Sequence, residues 1–106
     1  MSDIVPDDIA VIFVSQRTGE DEAGYAEAAA AMEAEAARQP GYRGIHSARG
    51  ADGNGITVSY WASEDAAVAW RAHPGHTAIR EAGRGRWYSS YELIVARVSR
   101  AYSWRK

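Results

Sequence analysis

Most of the side chains that could carry chemistry lie between residues 60 and 91. That stretch holds three of the four tryptophans, two of the three histidines and three tyrosines. A buried indole N–H or phenol O–H needs a hydrogen-bond partner, which a ligand in a cavity can supply, although core packing is the alternative for each ring taken alone. We therefore predict a site for a small aromatic molecule between the helices and the sheet, with these substrate-binding residues: Tyr60, Trp61, Arg84, Trp87 and Tyr91.

His73 and His76 are the candidates for proton transfer, and Trp70 is the third predicted catalytic residue. An imidazole titrates near neutral pH and can remove a proton from a phenol. The alternative role for each histidine is that of a helix cap or a surface residue. A metal site is not expected, because Pro74 and Gly75 break the spacing between the histidines and no Cys, Asp or Glu lies within a turn to complete a ligand set.

The charges of the chain are divided unevenly. Residues 1–65 carry four Arg against twelve Asp and Glu, whereas residues 66–106 carry seven Arg and one Lys against two Glu. Arg80, Arg84 and Arg86 could offset the charge of a bound enolate or carboxylate, and a solvated helix end is the alternative explanation. The net charge of −2 and the lack of a basic strand interleaved with stacking aromatics predict that the chain does not bind nucleic acid.

Several classes of protein are disfavoured by what the sequence lacks. It has no cysteine, no basic start followed by a long apolar run, and no apolar run of the roughly 20 residues that span a membrane. Residues 83–86 neither follow a strand nor open a helix, so they do not form a phosphate loop. These features predict a cytoplasmic protein without a membrane partner. Its 106 residues suit one domain over 1–106.

The order of the elements follows from periodicity and turn signals. Apolar strands are predicted at residues 9–16, 42–49, 56–61 and 87–98, and the tail at 101–106 is a candidate extension of the last strand. Residues 52–55 form the hairpin turn. A first helix follows Thr18 and the acidic run at 20–22, with an inward stripe of Tyr25, Ala28, Ala29, Met32 and Ala36, and stops at Pro40. A second helix begins after Ser63, its predicted N-cap, and is interrupted at residues 73–76.

The resulting βαββαβ order is that of an α+β, ferredoxin-like fold with a four-stranded antiparallel sheet. Both helices then lie on one face of the sheet. The first and last strands are nevertheless apolar on both parities, since Ile12 and Val14 alternate with Val11 and Phe13 in the first. A second sheet should cover the bare face, and we predict a homodimer formed through the sheet face away from the helices.

The sequence resembles the antibiotic biosynthesis monooxygenase family over most of residues 9–102. The resemblance is carried by four segments, at residues 39–42, 55–61, 69–76 and 83–88, which read QPGY, GITVSYW, AWRAHPGH and GRGRWY. Members of that family are dimeric α+β barrels of ferredoxin-like subunits. Several of them oxidise polycyclic phenols with oxygen and without metal, flavin or haem.

The resemblance implies a cofactor-independent monooxygenase or related oxidase that acts on a small phenolic or quinone-like molecule. The family also contains haem-degrading enzymes, which use an Asn on the first strand, a Trp on the second helix and a His further along it. Trp70 matches the second of these residues. Ser15 or Gln16 stands at the Asn position, and neither histidine lies as far beyond Trp70 as that branch requires. Haem binding through one histidine and noncatalytic binding of a small molecule are the alternative hypotheses.

Overall fold

The computed structural model describes residues 4–106 and contains one antiparallel sheet with helices on one side. The strands lie in the order β2-β3-β1-β4, and each neighbouring pair is antiparallel. The predicted ferredoxin-like α+β fold is thereby confirmed. In chain order, the elements are β1 (Ile9–Arg17), α1 (Glu22–Ala36), β2 (Tyr42–Arg49), β3 (Asn54–Trp61), α2 (Glu64–Arg71), α3 (Pro74–Gly83) and β4 (Tyr88–Arg97).

The first helix starts later than the sequence suggested. Asp21, in a left-handed conformation with φ 54°, is its N-cap and accepts a hydrogen bond from the backbone N–H of Gly24. Thr18 instead donates its hydroxyl to the carbonyl of Arg86, which ties the start of α1 to the segment before β4. The inward stripe is confirmed at Tyr25 and at the buried Ala36, but Ala29 is exposed.

The predicted break in the second helix is confirmed, and it separates α2 from α3. Ser63 caps α2 by accepting from the N–H of Ala66. His73 caps α3, and Pro74 occupies its first turn, where the missing N–H has no intrahelical partner to lose. Helix α3 makes its main contacts with α1 and α2 rather than with the strands.

The two faces of the sheet are covered differently. On the helix side, Ile9 and Trp61 are directly opposite each other on paired strands and form the core with Ala36, Ala67 and Trp70. On the other side, apolar side chains of β1, β3 and β4 lie together, and Ile56 and Ile94 are 46% and 41% exposed. This open face is the surface on which the sequence places the dimer contact.

The C-terminal segment differs from expectation. Strand β4 ends at Arg97, and residues 98–106 do not extend it. The rings of Tyr102 and Trp104 are 92% and 82% exposed. None of the helices within residues 4–106 has the length and apolar character needed to cross a bilayer.

Candidate active site

Three rings form a column at one end of the helix side of the sheet. Trp70 of α2 lies between Trp61 of β3 and His76 of α3, with ring centroids 6.0 Å and 4.8 Å away and interplanar angles of 25° and 9°. Trp61 is fully buried and donates its indole N–H to the hydroxyl of Ser59 at 3.0 Å. The column therefore fixes the plane of the His76 imidazole against a rigid core.

The hydrogen bonding of His76 leaves one ring nitrogen free. Its Nδ1 atom lies 3.2 Å from the backbone carbonyl of Trp70. A carbonyl oxygen only accepts, so Nδ1 carries the proton and, in the neutral ring, Nε2 holds the lone pair. No hydrogen-bond partner of Nε2 lies within residues 4–106. Burial lowers the pKa of His76, and the nearby positive charge of Arg80 lowers it further, so the ring is neutral at pH 7 and Nε2 can act as a base.

His73 has both ring nitrogens engaged in structural contacts. Its Nδ1 atom accepts from the backbone N–H of Gly75 at 3.2 Å, and its Nε2 atom lies 3.3 Å from a carboxylate oxygen of Glu35 on α1. The same carboxylate pairs with Arg38. His73 thus caps α3 and fastens it to α1, which is the alternative that the sequence left open for it.

A second group of predicted residues lies at the far end of the sheet. Tyr91 of β4 packs against Phe13 of β1 with ring centroids 5.2 Å apart, and its hydroxyl accepts from Nε of Arg84 at 2.8 Å. Tyr91 pairs with Ser15 and the Trp61 column begins at Ile9, six residues earlier on β1. The two groups are therefore about 20 Å apart along the strand.

Trp87 belongs to the structural frame of that end. It is buried, contacts Tyr25 edge to face, and donates its indole N–H to Asp21 at 3.3 Å. Its carbonyl accepts from Nε of Arg17, whose guanidinium lies 3.5 Å above the ring of Tyr25. The hydrogen bond from Trp87 is the largest of the effects that lower the pKa of Asp21. These contacts hold the segment before β4 against the start of α1.

An apolar floor connects the two ends on the helix side. Val11 and Phe13 of β1 lie opposite Val95 and Leu93 of β4. Although they face the helices, Leu93 is 43% exposed and Val95 is 52% exposed, because the helices do not cover the β4 edge. We call the partly open surface formed by these side chains, on the helix side of the sheet, the cleft.

The withdrawn side of α3 contacts α1, α2 and the rings that precede and begin β4. It carries His76, Ile79, Arg80 and Gly83, which recur at helical spacing and are buried or half-buried. A Cβ atom on Gly83 would lie 3.1 Å from the ring of Tyr88 and 3.2 Å from that of Trp87, so a residue without a side chain lets α3 approach this end closely.

Tyr60 does not join the other predicted residues. Consecutive residues of a strand point to opposite faces, so Tyr60 lies on the open face while Trp61 lies on the helix side. Its hydroxyl is 3.2 Å from Nδ1 of His46, which lies on the same open face. The sequence-based placement of Tyr60 beside the space between helices and sheet is therefore wrong.

The edge of Trp70 also lines a surface hollow of about 350 Å³. The hollow is bounded by the turn between α1 and β2 and by α2, and neither histidine lines it. No group of three metal-ligating side chains occurs within residues 4–106.

Sequence reasoning did not select Leu93, Val95 or Ile79 as site residues. Apolar side chains at these positions are also what an ordinary buried strand or helix face would carry. Only the structure, in which the β4 edge is left open, indicates that they lie beside a possible site. Arg80 did carry a signal, since it follows His76 by four residues on one helix.

Comparison with known proteins agrees with this architecture. Residues 8–82 match the model of the family described as antibiotic biosynthesis monooxygenase. The uncharacterized protein YqjZ of Bacillus subtilis is 53% identical over 91 residues, which are 86% of this chain and 79% of that protein.

Among solved structures, a mutant form of SnoaB from Streptomyces nogalater, a cofactor-independent oxygenase, superposes with a TM-score of 0.77 at 22% identity, covering 90% of this chain and 96% of its own. Protein SO0527 from Shewanella oneidensis superposes with a TM-score of 0.79 at 11% identity, and the match covers 95% of this chain and 100% of that protein. These likenesses concern the fold. With a family model that matches most of its length, the chain belongs to the antibiotic biosynthesis monooxygenase family.

Proposed function

We propose that the protein is a cofactor-independent oxygenase that acts on a small phenolic or quinol-like molecule bound in the cleft. The observation that carries the proposal is the free Nε2 atom of a neutral His76, held by the stacked Trp70 ring next to an apolar floor. Family membership supports the reaction class. The relative SnoaB is described as a cofactor-independent oxygenase.

The chemistry begins with a proton transfer that makes the substrate easier to oxidise. Nε2 of His76 accepts the phenolic proton, and the resulting anion is a far better electron donor than the phenol. The anion passes one electron to O₂, and the radical and superoxide combine to form a peroxide. Where the reacting carbon is a methylene, loss of water from the peroxide leaves a carbonyl that keeps one oxygen atom, so that R₂CH₂ and O₂ give R₂C=O and H₂O.

The remaining predicted residues have supporting roles in this proposal. Trp70 keeps the imidazole in one plane, and the Arg84–Tyr91 hydrogen bond sets the far end of the cleft. Trp61 and Trp87 support these groups from the core, and His73 positions α3. An interaction between a substrate anion and a nearby cation is stronger where water is excluded than in solvent. The apolar floor therefore favours the substrate anion only if a cation lies close to it.

Oxygen consumption with an anthrone and a hydroquinone tests the proposal. We expect turnover above the rate of autoxidation in buffer, incorporation of one atom from ¹⁸O₂ into the product, and a loss of about 10²- to 10⁴-fold on His76→Ala. His73→Ala is the matched control and should keep most of the rate if the variant is assayed below its melting temperature. Equal rates for the wild type and His76→Ala would refute the role of the base.

Haem binding is a second candidate, favoured by the same free Nε2 atom, which could serve as an axial ligand. In that case His76 would hold the iron and the apolar floor would contact the porphyrin. A titration with hemin, followed at the Soret band, separates the two proposals. A shifted band that disappears in His76→Ala supports the haem binder if the protein consumes no oxygen with phenolic substrates. A ligand that co-purifies without turnover or a Soret band supports a noncatalytic binder.

We also propose a homodimer in which the open faces of two sheets pack together. The exposed Ile56 and Ile94 side chains support it, because an apolar sheet face is costly to leave in water. The cytoplasmic location and the single-domain organisation over residues 1–106 stay predictions.

A further inference from the structure

A second hollow lies at the end of the sheet away from the Trp61 column, on the side of β2. It has a volume of about 330 Å³ and is bounded by the end of β1, the first turn of α1 and the hairpin turn between β2 and β3. Arg17 and Arg49 both line it, whereas no residue predicted as catalytic or substrate-binding does. The proposed oxygenase reaction therefore leaves this hollow without a role.

Arg49 is held in place by groups that carry no charge. Its terminal nitrogens donate to the hydroxyl oxygen of Tyr25 at 3.0 Å, to that of Ser15 at 3.3 Å and to the carbonyl of Gly53. The guanidinium also lies against the backbone of Gly55, where a Cβ atom would be 2.6 Å from its Cζ atom. Among the described residues, no carboxylate lies within ion-pair distance of Arg49. The position of this guanidinium is thus fixed while its charge is not neutralised.

Arg17 brings a second positive charge to the same hollow. Its side chain is only 4% exposed, and its guanidinium carbon lies 3.5 Å from the centre of the Tyr25 ring. The corresponding atom of Arg49 is 5.5 Å from the same centre, so the two are at most about 9 Å apart. Like charges at that distance still repel each other at physiological ionic strength. An anion placed between the two guanidinium groups would relieve this repulsion.

Two carboxylates border the hollow, and neither of them closes it. Glu22 pairs with Arg17 at 2.8 Å, but its side chain is 68% exposed, so it is free to turn into solvent when another anion takes its place. Asp52 accepts from the backbone N–H of Asn54 at 3.0 Å and forms no ion pair with either arginine in the described part of the chain. The remaining lining includes three glycines, which leave room beside the backbone: Gly19, Gly50 and Gly53.

We propose that this hollow is a phosphate-binding site, in which a phosphate group bridges Arg49 and Arg17 and displaces the Glu22 carboxylate. A phosphate group carries close to two negative charges at neutral pH and has three strong acceptor oxygens, which suit two guanidinium forks. A single carboxylate would neutralise only one of the two. The inference is independent of the proposed oxygenase function, because none of the side chains that form the cleft lines the hollow.

The test is a titration of the ¹⁵N-labelled full chain with inorganic phosphate at pH 7.5 and low salt, followed by NMR. We expect saturable shifts of the amide signals at residues 18–19 and 50–53, with a dissociation constant of about 1 mM or below. Arg49→Gln should weaken binding by about tenfold or more, because it removes a charge-assisted contact. Arg49→Lys should fall between the two, because lysine keeps the charge without the planar fork.

Arg97→Gln is the matched control for Arg49→Gln. It removes the same charge from the exposed end of β4, outside the hollow. Screening by salt makes the effect of a distant charge small, so its affinity for phosphate should stay within about twofold of the wild type. Circular dichroism of each variant verifies that the fold is kept.

Glu22→Gln gives a prediction of the opposite sign. It removes the carboxylate that competes for Arg17, so phosphate should bind about two- to fivefold more tightly, in line with the strength of an exposed ion pair. Glu20→Gln removes the same charge from a residue that does not line the hollow, and it should change the affinity less. A gain in affinity cannot result from partial unfolding, so this variant keeps the test decisive even if Arg49→Gln is unstable.

Three results would overturn the inference: no saturable shift at residues 18–19 and 50–53 up to about 50 mM phosphate, unchanged binding in Arg49→Gln, or acetate binding as tight as that of phosphate. A second arm uses glycerol 3-phosphate. Tighter binding of this ester than of inorganic phosphate supports a phosphorylated small molecule as the occupant, and equal or weaker binding supports free phosphate. These readouts do not depend on oxygen consumption, so failure of the phosphate site and failure of the oxygenase proposal are distinguishable.

Discussion

Two histidines three residues apart are expected to differ in their effect on activity when each is changed to alanine. His73→Ala removes an N-cap, which costs about 0.5 to 2 kcal/mol. It also removes a partly exposed contact with Glu35, in which both side chains are close to 30% exposed, and such pairs contribute about 0.2 to 1 kcal/mol. The sum is roughly 1 to 3 kcal/mol of unfolding free energy.

His76→Ala removes no cap and no ion pair. It loses a stacked ring contact with Trp70, worth about 0.5 to 1.5 kcal/mol, and the hydrogen bond from Nδ1 to the carbonyl of Trp70, worth about 0.5 to 1.5 kcal/mol. The sum is about 1 to 3 kcal/mol, similar to that for His73→Ala, so we expect the two variants to lower the melting temperature by similar amounts, at roughly 4 to 8 °C for about 1 kcal/mol in domains of about this size, and to differ in activity.

Thermal unfolding followed by circular dichroism, at one fixed protein concentration, measures the stability difference, and ligand binding and oxygen consumption measure the functional one. Glu35→Gln provides the control, because it removes the ion pair but leaves the cap on α3. It should reproduce only the smaller part of the His73→Ala loss. A His76→Ala variant that keeps full activity, or a His73→Ala variant that loses it while still folded, would refute the division of roles derived from the hydrogen bonds.

Three other perturbations have clear expected outcomes. Burial holds the pKa of His76 in the folded chain below its ordinary value of 6.5, so the unfolded chain binds more protons. The melting temperature should therefore fall as the pH drops below about 6.5. His76→Gln should make the melting temperature less dependent on pH in that range. Gly41→Ala should lower the free energy of unfolding by more than about 2 kcal/mol, because φ is +83° and the new Cβ would lie 2.6 Å from that of Ala66. Gly19→Ala, at φ +82° in open space, should lower it by only about 1 kcal/mol. Equal losses for the two variants in chemical denaturation would contradict the steric argument. Ile94→Asp should convert a dimer to a species with the chain mass of 11.5 kDa in light scattering, and a wild type that already has this mass would contradict the dimer.

The order and type of the elements followed from the sequence because local signals agreed with the tertiary structure. Ser63, Pro74 and the turn after Arg49 each mark a boundary by their own chemistry, and the structure places a boundary at each. The start of α1 was less well determined, since Thr18 and Asp21 are both good caps and only the contact with residue 86 decides between them. The tail was misjudged because its apolar rings resemble those of a strand.

The site was predicted less completely, for reasons that differ from residue to residue. Tyr60 could have been assigned to the open face from strand alternation alone, because its neighbour Trp61 belongs to the core. The roles of His73 and His76 could not be separated in the sequence, because the separation depends on Glu35, which is 38 residues away from His73 on another helix. That Nε of Arg80 has no hydrogen-bond partner within residues 4–106 is likewise a property of the packed molecule and not of its sequence neighbours.

Helix α3 is fastened at both ends. His73 ties its first turn to α1, and Gly83 packs its last turn against the rings that precede and begin β4. A helix held in this way keeps a fixed height above the strands, whereas the β4 edge beside it remains open. We therefore expect the protein to discriminate among molecules by thickness rather than by length: long, flat ring systems could protrude past β4, while a bulky tetrahedral substituent would be rejected however small the rest of the molecule.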